Sequence, residues 1–244
     1  MTKDEVIHRM ERMLWYHTVE LAPGVVTPGQ YDHRPLLHHY GIPEDLSGKT
    51  VLDVGPAHGF FAFEFERRKA ARVVTLELEK WTDHDVSPFL RERFMADNMN
   101  EIRREYLNEA LAFAIQVKQS GVEQRSGNIY DLDPHKTGIF DITFCGSLLV
   151  HLTDPLRALY ALRGVTREMA ILSTVIHNDE PTDQAVARFI GRVDSEAFWI
   201  PNMCCLKEMA LAAGFSHVEE VSTFNLASVD KEFNSLHGTI KAHV

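Results

Sequence analysis

The sequence predicts an α/β fold with a mostly parallel sheet and helices on both faces. Short apolar runs alternate with helical patterns along the chain, which is the order expected of a parallel sheet. The first run, Thr50–Val54, ends at a glycine, as buried parallel strands commonly do. With a helix and a second strand over Arg72–Leu76 it forms a βαβ unit of about 30 residues.

The remaining elements follow from the same patterns. Seven strands are expected, over residues 50–54, 72–76, 123–128, 140–145, 169–176, 218–224 and 239–244. Helices are expected over residues 3–16, 60–68, 155–164 and 201–213, with one or two more between 89 and 119. No helix separates the last two strands, so one of them is expected to run antiparallel at the sheet edge.

The chain divides into two parts by composition. Residues 1–46 combine a helical pattern with a Pro/Gly-rich segment and are expected to form an N-terminal helix and lid. Residues 47–244 are expected to form the main domain, with a helical insertion at about 82–120. The sequence does not determine the oligomeric state, although a homodimer is compatible with it.

Composition narrows the class of protein. Among the 244 residues are three cysteines, which have neither disulfide nor metal-ligand spacing. No apolar run is long enough to span a bilayer, and the N-terminus lacks the apolar core of a signal peptide. These features predict a cytoplasmic protein that does not enter a membrane.

The charge balance argues against nucleic acid. The formal net charge is −10, whereas proteins that grip phosphate backbones usually show a basic stripe. The one dense basic run, Arg67–Lys69 with Arg72, lies where the first domain helix should end, and cations are favoured there by the helix dipole.

The turn after the first strand, Gly55–Gly59, indicates which ligand the sheet edge binds. A dinucleotide site needs glycines at the first, third and sixth positions of this turn, but here those positions are Gly55, Ala57 and Phe60. The observed pattern is an acid, Asp53, followed by Gly, a small residue and Gly at alternate positions. A carboxylate at this place would repel a pyrophosphate and suits a ligand with an ammonium group, such as S-adenosylmethionine.

A second acid supports this interpretation. Glu77 ends the second strand, about 22 residues after the first glycine, where a carboxylate can accept both ribose hydroxyls. Asn128 and Ile129 follow the third strand, where an adenine ring is expected. The full set of expected cofactor contacts is Asp53, Gly55, Pro56, Ala57, His58, Gly59, Glu77, Leu78, Trp81, Asn128, Ile129, Cys145 and Gly146.

These motifs, with others along nearly the whole chain, resemble one family. The segments that carry the resemblance are WYH (15–17), TPG (27–29), LSGKTVLDVG (46–55), EFERR (64–68), YDL (130–132), FDITFCGSLLVHLTDPLRAL (140–159), WIPN (199–202) and AGF (213–215). The chain resembles the tRNA wobble-uridine (5-methoxyuridine/5-carboxymethoxyuridine) methyltransferase-like group of class I methyltransferases. The resemblance implies a Rossmann-like fold, S-adenosylmethionine as cofactor, S-adenosylhomocysteine as product and no metal.

Two departures from that group concern the methyl donor and the substrate. The resemblance implies that tRNA-modifying members hold a carboxylated donor with lysine and arginine, but residues 21–24 read LAPG, and no lysine follows until Lys49. Where such members have a tyrosine before the histidine that follows the fourth strand, this chain has Val150. Both differences predict the ordinary donor and a substrate other than tRNA.

Three of the thirteen histidines are candidate general bases, because histidine titrates near neutral pH. His151 follows the fourth strand and His177 follows the fifth. The alternative for His151 is a structural histidine bonded to backbone near the helix cap, and the alternative for His177 is a polar loop residue. His17 lies on the lid segment. His58, in the glycine turn, is expected to contact the cofactor. The acceptor-binding candidates are Trp15, Tyr16, Tyr31, Ser147, Trp199 and Asn202, with a core role as the alternative for Trp199.

Other patterns carry less information. Asp83-His84-Asp85 could suggest a metal site, but three consecutive residues cannot all face one ion; a turn beside the cofactor pocket is expected instead, with Trp81 covering the adenosine. The function expected is transfer of a methyl group to oxygen or nitrogen of a small organic acceptor. A tRNA wobble-uridine methyltransferase and a non-catalytic cofactor-binding regulatory module are the alternatives.

Overall fold

A seven-stranded sheet forms the centre of the computed structural model, which describes residues 1–179 and 183–244 apart from the side chains of residues 100, 103 and 105. Its strands are β3 (Thr50–Val54), β4 (Arg72–Glu77), β5 (Glu123–Ser126), β6 (Phe140–Gly146), β7 (Thr166–Val175), β10 (His217–Ala227) and β11 (Asn234–His243). Two short hairpins lie outside it, β1 (Glu20–Ala22) with β2 (Val25–Val26) and β8 (Ala187–Phe189) with β9 (Trp199–Pro201).

The strand order is β10-β11-β7-β6-β3-β4-β5, and the predicted mostly parallel sheet is confirmed. The one antiparallel strand is β11, which pairs with β7 on one side and β10 on the other. The antiparallel strand was predicted at the sheet edge; in the structure β10 is the edge strand and β11 lies next to it. Because β11 reverses direction, β10 points the same way as the parallel strands.

Helices cover both faces. They are α1 (Lys3–Met10), α2 (Phe60–Arg67), α3 (Pro88–Ala96), α4 (Met99–Arg103), α5 (Ala110–Lys118), α6 (Pro155–Gly164) and α7 (Met203–Ala212). A π-helical turn, Arg104–Glu109, joins α4 to α5. The predicted helix over 3–16 ends at Met10, and the one over 201–213 begins at Met203, because Pro201 belongs to β9 and Asn202 caps the helix. Within the described ranges, no helix is both long enough and apolar enough to cross a membrane.

Alternation along β3 assigns its side chains to two cores. Val51 packs in the core on the α2 and α5 side, whereas Leu52 and Val54 pack in the core on the α6 and α7 side. Asp53 shares the α2 side with Val51 and is buried there. The alternation therefore carries a carboxylate into the protein interior at the carboxyl end of a central strand.

The N-terminal residues share the core on the α2 side. Val6, Met10, Trp15, Val19 and Leu21 are all buried in it. The crossing at Gly29 is tight, because a Cβ there would lie 2.1 Å from the carbonyl carbon of His17 and the amide nitrogen of Thr18. Glycine at this position allows the segment before β1 to pack against the loop that follows β2.

Candidate active site

The glycine turn connects β3 to α2 through three residues with positive φ. Gly55 has a φ of 74°, Ala57 of 45° and Gly59 of 78°. Gly59 is the N-cap of α2, and a Cβ there would lie 2.6 Å from Cδ1 of Leu111. Both the left-handed conformation and the lack of space require glycine at this position.

Asp53 is a buried carboxylic acid with an unsatisfied oxygen. Its side chain is 1% exposed, and its Oδ2 has no hydrogen-bond partner among the described residues. Burial, with the neighbouring charge of Glu77, raises the pKa of Asp53 to about 8. Burial and Asp53 together raise the pKa of Cys145, on the adjacent strand β6, to about 12. A cationic ligand that donates hydrogen bonds would both satisfy the free oxygen and stabilise the carboxylate.

A cleft opens at the carboxyl ends of β3, β4 and β5. We call it the strand-end cleft, and it is lined by Val54, Gly55, Leu76, Glu77, Leu78, Asp83, His84, Asp85, Gly127, Asn128, Ile129, Tyr130, Leu148, His151 and Leu152. It thus brings together six residues that the sequence predicted: Gly55, Glu77, Leu78, Asn128, Ile129 and His151. This is the edge of an open parallel sheet at which ligands bind.

Two of these residues are oriented by local hydrogen bonds. Oε1 of Glu77 accepts from the amide of Leu78 at 2.8 Å. Oδ1 of Asn128 accepts from the amide of Tyr130 at 3.0 Å and so begins the turn Ile129–Asp131. The turn holds Ile129 against the cleft, and Glu77 lines the cleft at the end of the neighbouring strand β4.

Nine cleft residues lie outside the predicted site residues, and four of them have polar side chains: Asp83, His84, Asp85 and Tyr130. Oδ2 of Asp85 accepts from the Tyr130 hydroxyl at 2.5 Å and from the amide and hydroxyl of Thr153 at 2.7 and 2.8 Å. This network ties the loop after β4 to the turns after β5 and β6. The acidic character of residues 83–85 was the only sequence signal available for it.

Trp81, the predicted cover of the adenosine, is not among the residues that line the strand-end cleft. Its ring stacks on His84 with centroids 5.3 Å apart and packs edge-on against Phe94 at 5.8 Å. It belongs to a small apolar cluster with Val86 and Leu90, and His84 lines the cleft instead.

The three candidate bases lie in different surroundings. His151 lines the strand-end cleft, and its Nδ1 lies 2.6 Å from the carbonyl oxygen of Glu196. A carbonyl can only accept, so Nδ1 carries the proton and Nε2 is the basic nitrogen. His177 follows β7 and lines a separate cavity beside α7, and neither of its ring nitrogens has a hydrogen-bond partner within the described ranges.

His17 is enclosed rather than open to the cleft. It is 4% exposed and lies among aromatic rings, with His33 at 5.0 Å and Phe61 at 6.1 Å between centroids. Burial and the nearby His33 and His58 hold its pKa well below the usual value, so it is neutral. Four buried histidines with lowered pKa values form what we call the buried histidine cluster: His17, His33, His58 and His237.

The side chain of His58 faces the protein and not a ligand, which corrects the expected contact. Its Nδ1 accepts from the amide of Tyr16 at 2.7 Å, and its Nε2 donates to the carbonyl of Tyr106 at 2.6 Å. Both ring nitrogens are therefore used, and burial lowers the pKa of His58 to about 4. His58 fastens the N-terminal segment and the π-helical turn to the glycine turn.

Trp15 is a core residue, contrary to the acceptor-binding prediction. It is 5% exposed, its indole nitrogen donates to the carbonyl of Met10 at 3.0 Å, and its ring packs on His58 at 5.1 Å. The rings of Tyr16 and Tyr31 lie 4.9 Å apart. Tyr16 contacts the ring of His17, and Tyr31 lies beside that of His33. Burial and the Tyr31 and Tyr106 hydroxyls raise the pKa of Tyr16, so these hydroxyls are neutral donors.

Asn202 is likewise occupied within the chain. Its Oδ1 accepts from the amide of Cys205 at 2.8 Å, which caps α7, and from the amide of Val186 at 3.2 Å. Its Nδ2 donates to the carbonyl of Gln184 at 2.7 Å. The predicted acceptor contact is thus a helix cap, for which asparagine is among the favoured residues.

Ser147 and Trp199 lie near the end of β6. The hydroxyl of Ser147 donates to the carbonyl of Ser173 at 3.5 Å. The indole of Trp199 donates to the carbonyl of Thr153 at 3.1 Å, and its ring contacts Phe189 across the β8–β9 hairpin at 5.0 Å. Trp199 is only partly buried, so it is not a plain core residue.

Two cofactor-turn residues and the end of β6 complete the predicted set. Pro56 is buried and Ala57 is partly exposed in the glycine turn. Cys145 is buried opposite Val54, and Gly146 ends β6, where a Cβ would lie 3.2 Å from that of Ser173.

In the part of the chain that the structure describes, no group of three or more His, Cys, Asp or Glu side chains is arranged to hold a metal ion.

The basic run at the end of α2 is neutralised locally. Arg67 and Arg68 both pair with Glu64, at 2.7 and 2.6 Å, and Arg72 pairs with Glu123 at 2.7 Å. These guanidinium groups are committed to carboxylates of the same chain. The run therefore behaves as the helix-end cluster that the sequence suggested.

Comparison with known proteins gives a consistent fold and distant relatives. The N-terminal domain of EvdMO1 with S-adenosylhomocysteine bound superposes with a TM-score of 0.70 at 18% identity, covering 100% of this chain and 98% of that domain. Burkholderia thailandensis 1,6-didemethyltoxoflavin-N1-methyltransferase gives a TM-score of 0.51 at 16% identity over 86% of this chain and 77% of that one. At these identities the likeness shows the fold.

The curated relatives support the family resemblance inferred from the motifs. The tRNA U34 carboxymethyltransferase of Wolinella succinogenes is 24% identical over 180 residues, which is 72% of this chain and 55% of the relative. That of Sulfurimonas denitrificans is 26% identical over 191 residues, 77% of this chain and 55% of the relative. The chain thus spans about half the length of these relatives, and no model of a known protein family matches it. It has the Rossmann-like class I methyltransferase fold and is similar to the tRNA wobble-uridine methyltransferase-like group.

Proposed function

We propose that this chain is an S-adenosylmethionine-dependent methyltransferase that acts on a small organic acceptor. One observation carries the cofactor assignment: a buried Asp53 with a free oxygen and a raised pKa, at the strand end beside the glycine turn. A buried carboxyl group with an unsatisfied oxygen destabilises the folded state, and binding of a cationic hydrogen-bond donor would reduce that free-energy cost. S-adenosylmethionine has an ammonium group and a sulfonium, whereas nucleotide phosphates would be repelled.

Each part of the cofactor finds matching residues. Asp53, which is buried at the end of β3, and the glycine turn would hold the amino-acid end. Of the residues that line the cleft, Glu77 would accept the ribose hydroxyls, and Asn128 with Ile129 would border the adenine. When bound, S-adenosylmethionine supplies a methyl group that its positive sulfur has already activated for displacement. The task of the chain is then to align an acceptor with that methyl group and to exclude water, which can contribute several kcal/mol to catalysis.

His151 is the proposed proton acceptor. Its Nδ1–H is fixed by the carbonyl of Glu196, which leaves Nε2 as the basic nitrogen of a side chain that lines the strand-end cleft. An oxygen or nitrogen acceptor that must lose a proton would deliver it there, and general-base catalysis of this kind is worth ~10²–10⁴-fold. His177 is the weaker candidate: its two ring nitrogens have no hydrogen-bond partner among the described residues, but it lines the separate cavity beside α7 and not the strand-end cleft.

A small acceptor is favoured by charge. The net charge is −10, and the arginines at the end of α2 are paired with Glu64 and Glu123. Affinity for tRNA depends mainly on neutralised phosphates, so an acidic chain whose basic run is committed elsewhere is poorly suited to it. Val150 and the LAPG segment also lack the hydroxyl and the lysine that the family resemblance associates with a carboxylated donor.

The second candidate function is modification of the tRNA wobble uridine. The observation in its favour is the sequence similarity to two proteins named tRNA U34 carboxymethyltransferase. Those proteins are nearly twice as long as the aligned part, so residues outside it can supply their tRNA contacts. Activity of the full relatives is therefore a weaker guide than the local chemistry of this chain.

The test is methyl transfer from isotope-labelled S-adenosylmethionine to a panel of phenols, amines and sugars, read by mass spectrometry, with bulk tRNA as one further acceptor. We expect a labelled small product, loss of at least ~10²-fold in kcat for His151→Gln, and a matched His135→Gln control that behaves like the parent. Labelled methyl in tRNA, or carboxymethyl in tRNA from a parallel reaction that supplies the carboxylated donor, would establish the second candidate instead. Failure to bind S-adenosylhomocysteine would refute the cofactor assignment itself.

A further inference from the structure

A second cleft, outside the strand-end cleft, lies between the N-terminal helix and the π-helical turn. We call it the α1 cleft; it measures about 620 Å³ and is lined by His8, Arg9, Arg12, Met13, Leu14, Ile102, Tyr106 and Glu109. This volume lies within the range of small-molecule sites. No residue of this cleft was predicted to bind a cofactor or an acceptor.

One wall of the α1 cleft carries the positively charged side chains of Arg9 and Arg12. Neither the Arg9 nor the Arg12 side chain has a carboxylate partner or a hydrogen bond within the described ranges, whereas Glu109 on the opposite wall lies 3.7 Å from Arg104. The Arg9 guanidinium lies over the Phe113 ring, 4.7 Å from its centroid, so its position is fixed while its N–H groups stay unused. An acidic protein thus presents two available guanidinium groups at one cleft.

Apolar side chains in the same cleft are left uncovered. Leu14 is 72% exposed and Ile102 is 45% exposed, and both line the cleft with Met13. A helix dipole would explain cations at the end of α1, but it gives no reason for apolar surface beside them. A ligand with an apolar body and an anionic head satisfies both features at once.

The cleft also contacts the glycine turn indirectly. Tyr106 lines it, and the same residue accepts a 2.6 Å hydrogen bond from His58 and packs edge-on against its ring at 5.1 Å. One layer of side chains therefore separates the α1 cleft from the residues at 55–59. π-Helical turns of this kind are frequent at functional sites.

We propose that the α1 cleft is a binding site for an amphipathic organic anion, whose carboxylate, sulfonate or phosphate head pairs with Arg9 and Arg12 and whose apolar body packs on Leu14, Ile102 and Tyr106. The proposal does not depend on the methyltransferase assignment. Guanidinium groups suit such heads because they can donate two parallel hydrogen bonds. Tyr106 supplies an aromatic wall for the body of the ligand.

The experiment uses the full chain and 1-anilinonaphthalene-8-sulfonate as the probe, followed by fluorescence titration and calorimetry. We expect saturable binding of one probe per chain, weakened about tenfold or more in Arg9→Gln/Arg12→Gln. The matched control removes two exposed cations elsewhere, Arg192→Gln/Lys231→Gln, and should bind like the parent.

A second variant separates binding from folding. Leu14→Ser changes a residue that is 72% exposed, so it should leave the thermal midpoint unchanged while weakening the probe several-fold. Binding that is unaffected by both cleft variants, or that falls equally in the control, would overturn the proposal. Salt-sensitive binding of tRNA that is lost with Arg9 and Arg12, with no competition by the probe, would also overturn it in favour of a polyanion surface.

Discussion

Replacing Asp53 with asparagine should stabilise the protein while weakening its cofactor binding. The carboxyl group is 1% exposed and its pKa is raised from 3.8 to about 8. A raised pKa means that the folded chain holds the proton more tightly than the unfolded chain does. Stability contributed by this group is therefore fully present below pH 3.8 and is lost as the pH rises toward 8.

The size of the effect follows from the pKa difference. At pH 7 the solution is about three pH units above the ordinary Asp pKa of 3.8 and still below the raised pKa of Asp53. At ~1.4 kcal/mol per unit, keeping Asp53 in the folded protein costs on the order of 4 kcal/mol of stability. Asparagine removes this cost but leaves a buried amide without full hydrogen bonding, which costs ~1–3 kcal/mol. The net gain should be ~1–3 kcal/mol, or roughly 3–10 °C in the thermal midpoint of a chain this size.

Thermal unfolding of the parent and Asp53→Asn, followed by circular dichroism from pH 4 to pH 8.5, measures this gain. The gap in midpoint should be smallest near pH 4, widen as the pH rises and level off above pH 8. The control is Asp141→Asn, which should destabilise the protein because Asp141 accepts from Thr50 at 2.8 Å and pairs with Arg167 at 2.5 Å. An Asp53→Asn variant that melts below the parent at pH 7, or a gap that does not change with pH, would refute the reasoning.

Three further predictions concern other parts of the structure. Glu77→Gln should weaken S-adenosylhomocysteine by ~1.5–3 kcal/mol in calorimetry, while Glu79→Gln should bind like the parent; equal affinities for all three proteins would show that Glu77 has been assigned wrongly. The buried histidine cluster should make the protein acid-sensitive, because its histidines bind protons more weakly in the folded chain than in the unfolded chain. The free energy of unfolding should therefore fall once the pH drops through about 6.5, by ~1.4 kcal/mol per pH unit for each histidine; a thermal midpoint that is flat from pH 7 to 5 would contradict this. Gly29→Ala should destabilise the N-terminal segment, since its Cβ would lie 2.1 Å from backbone atoms, whereas Gly164→Ala meets nothing within 4 Å and should be tolerated; equal thermal midpoints for both variants would argue against the tight crossing.

The sheet and the glycine turn could be predicted because their signals are local. Apolar runs of strand length and a Gly-x-small-x-Gly turn each occupy fewer than ten consecutive residues, and they led to Asp53, Gly55 and Glu77. The antiparallel strand was also foreseen, from the missing helix before residues 239–244. That β11 lies inside β10, and is not the outermost strand, depends on its pairing with β7. Local sequence patterns do not reveal this pairing.

Side-chain roles were harder to predict because one residue type serves several purposes. Asn202 and His58 are polar residues next to predicted site elements, yet one caps α7 and the other joins Tyr16 to Tyr106. The Asp85 network was missed because its partners, Tyr130 and Thr153, are 45 and 68 residues away along the chain. Contacts of this range depend on the packing of three separate loops.

The most direct test of the central claim is calorimetry of the folded 244-residue chain with S-adenosylhomocysteine, S-adenosylmethionine, NAD and ATP. We predict one site per chain for the two adenosyl sulfur compounds. Each should release close to one proton at pH 7, because Asp53, whose pKa is about 8, ionises beside the ammonium group that both compounds carry. Titration in two buffers of different ionisation enthalpy measures that proton. Binding of NAD or ATP in place of the adenosyl compounds, or no binding of either adenosyl compound to a folded protein, would contradict the account.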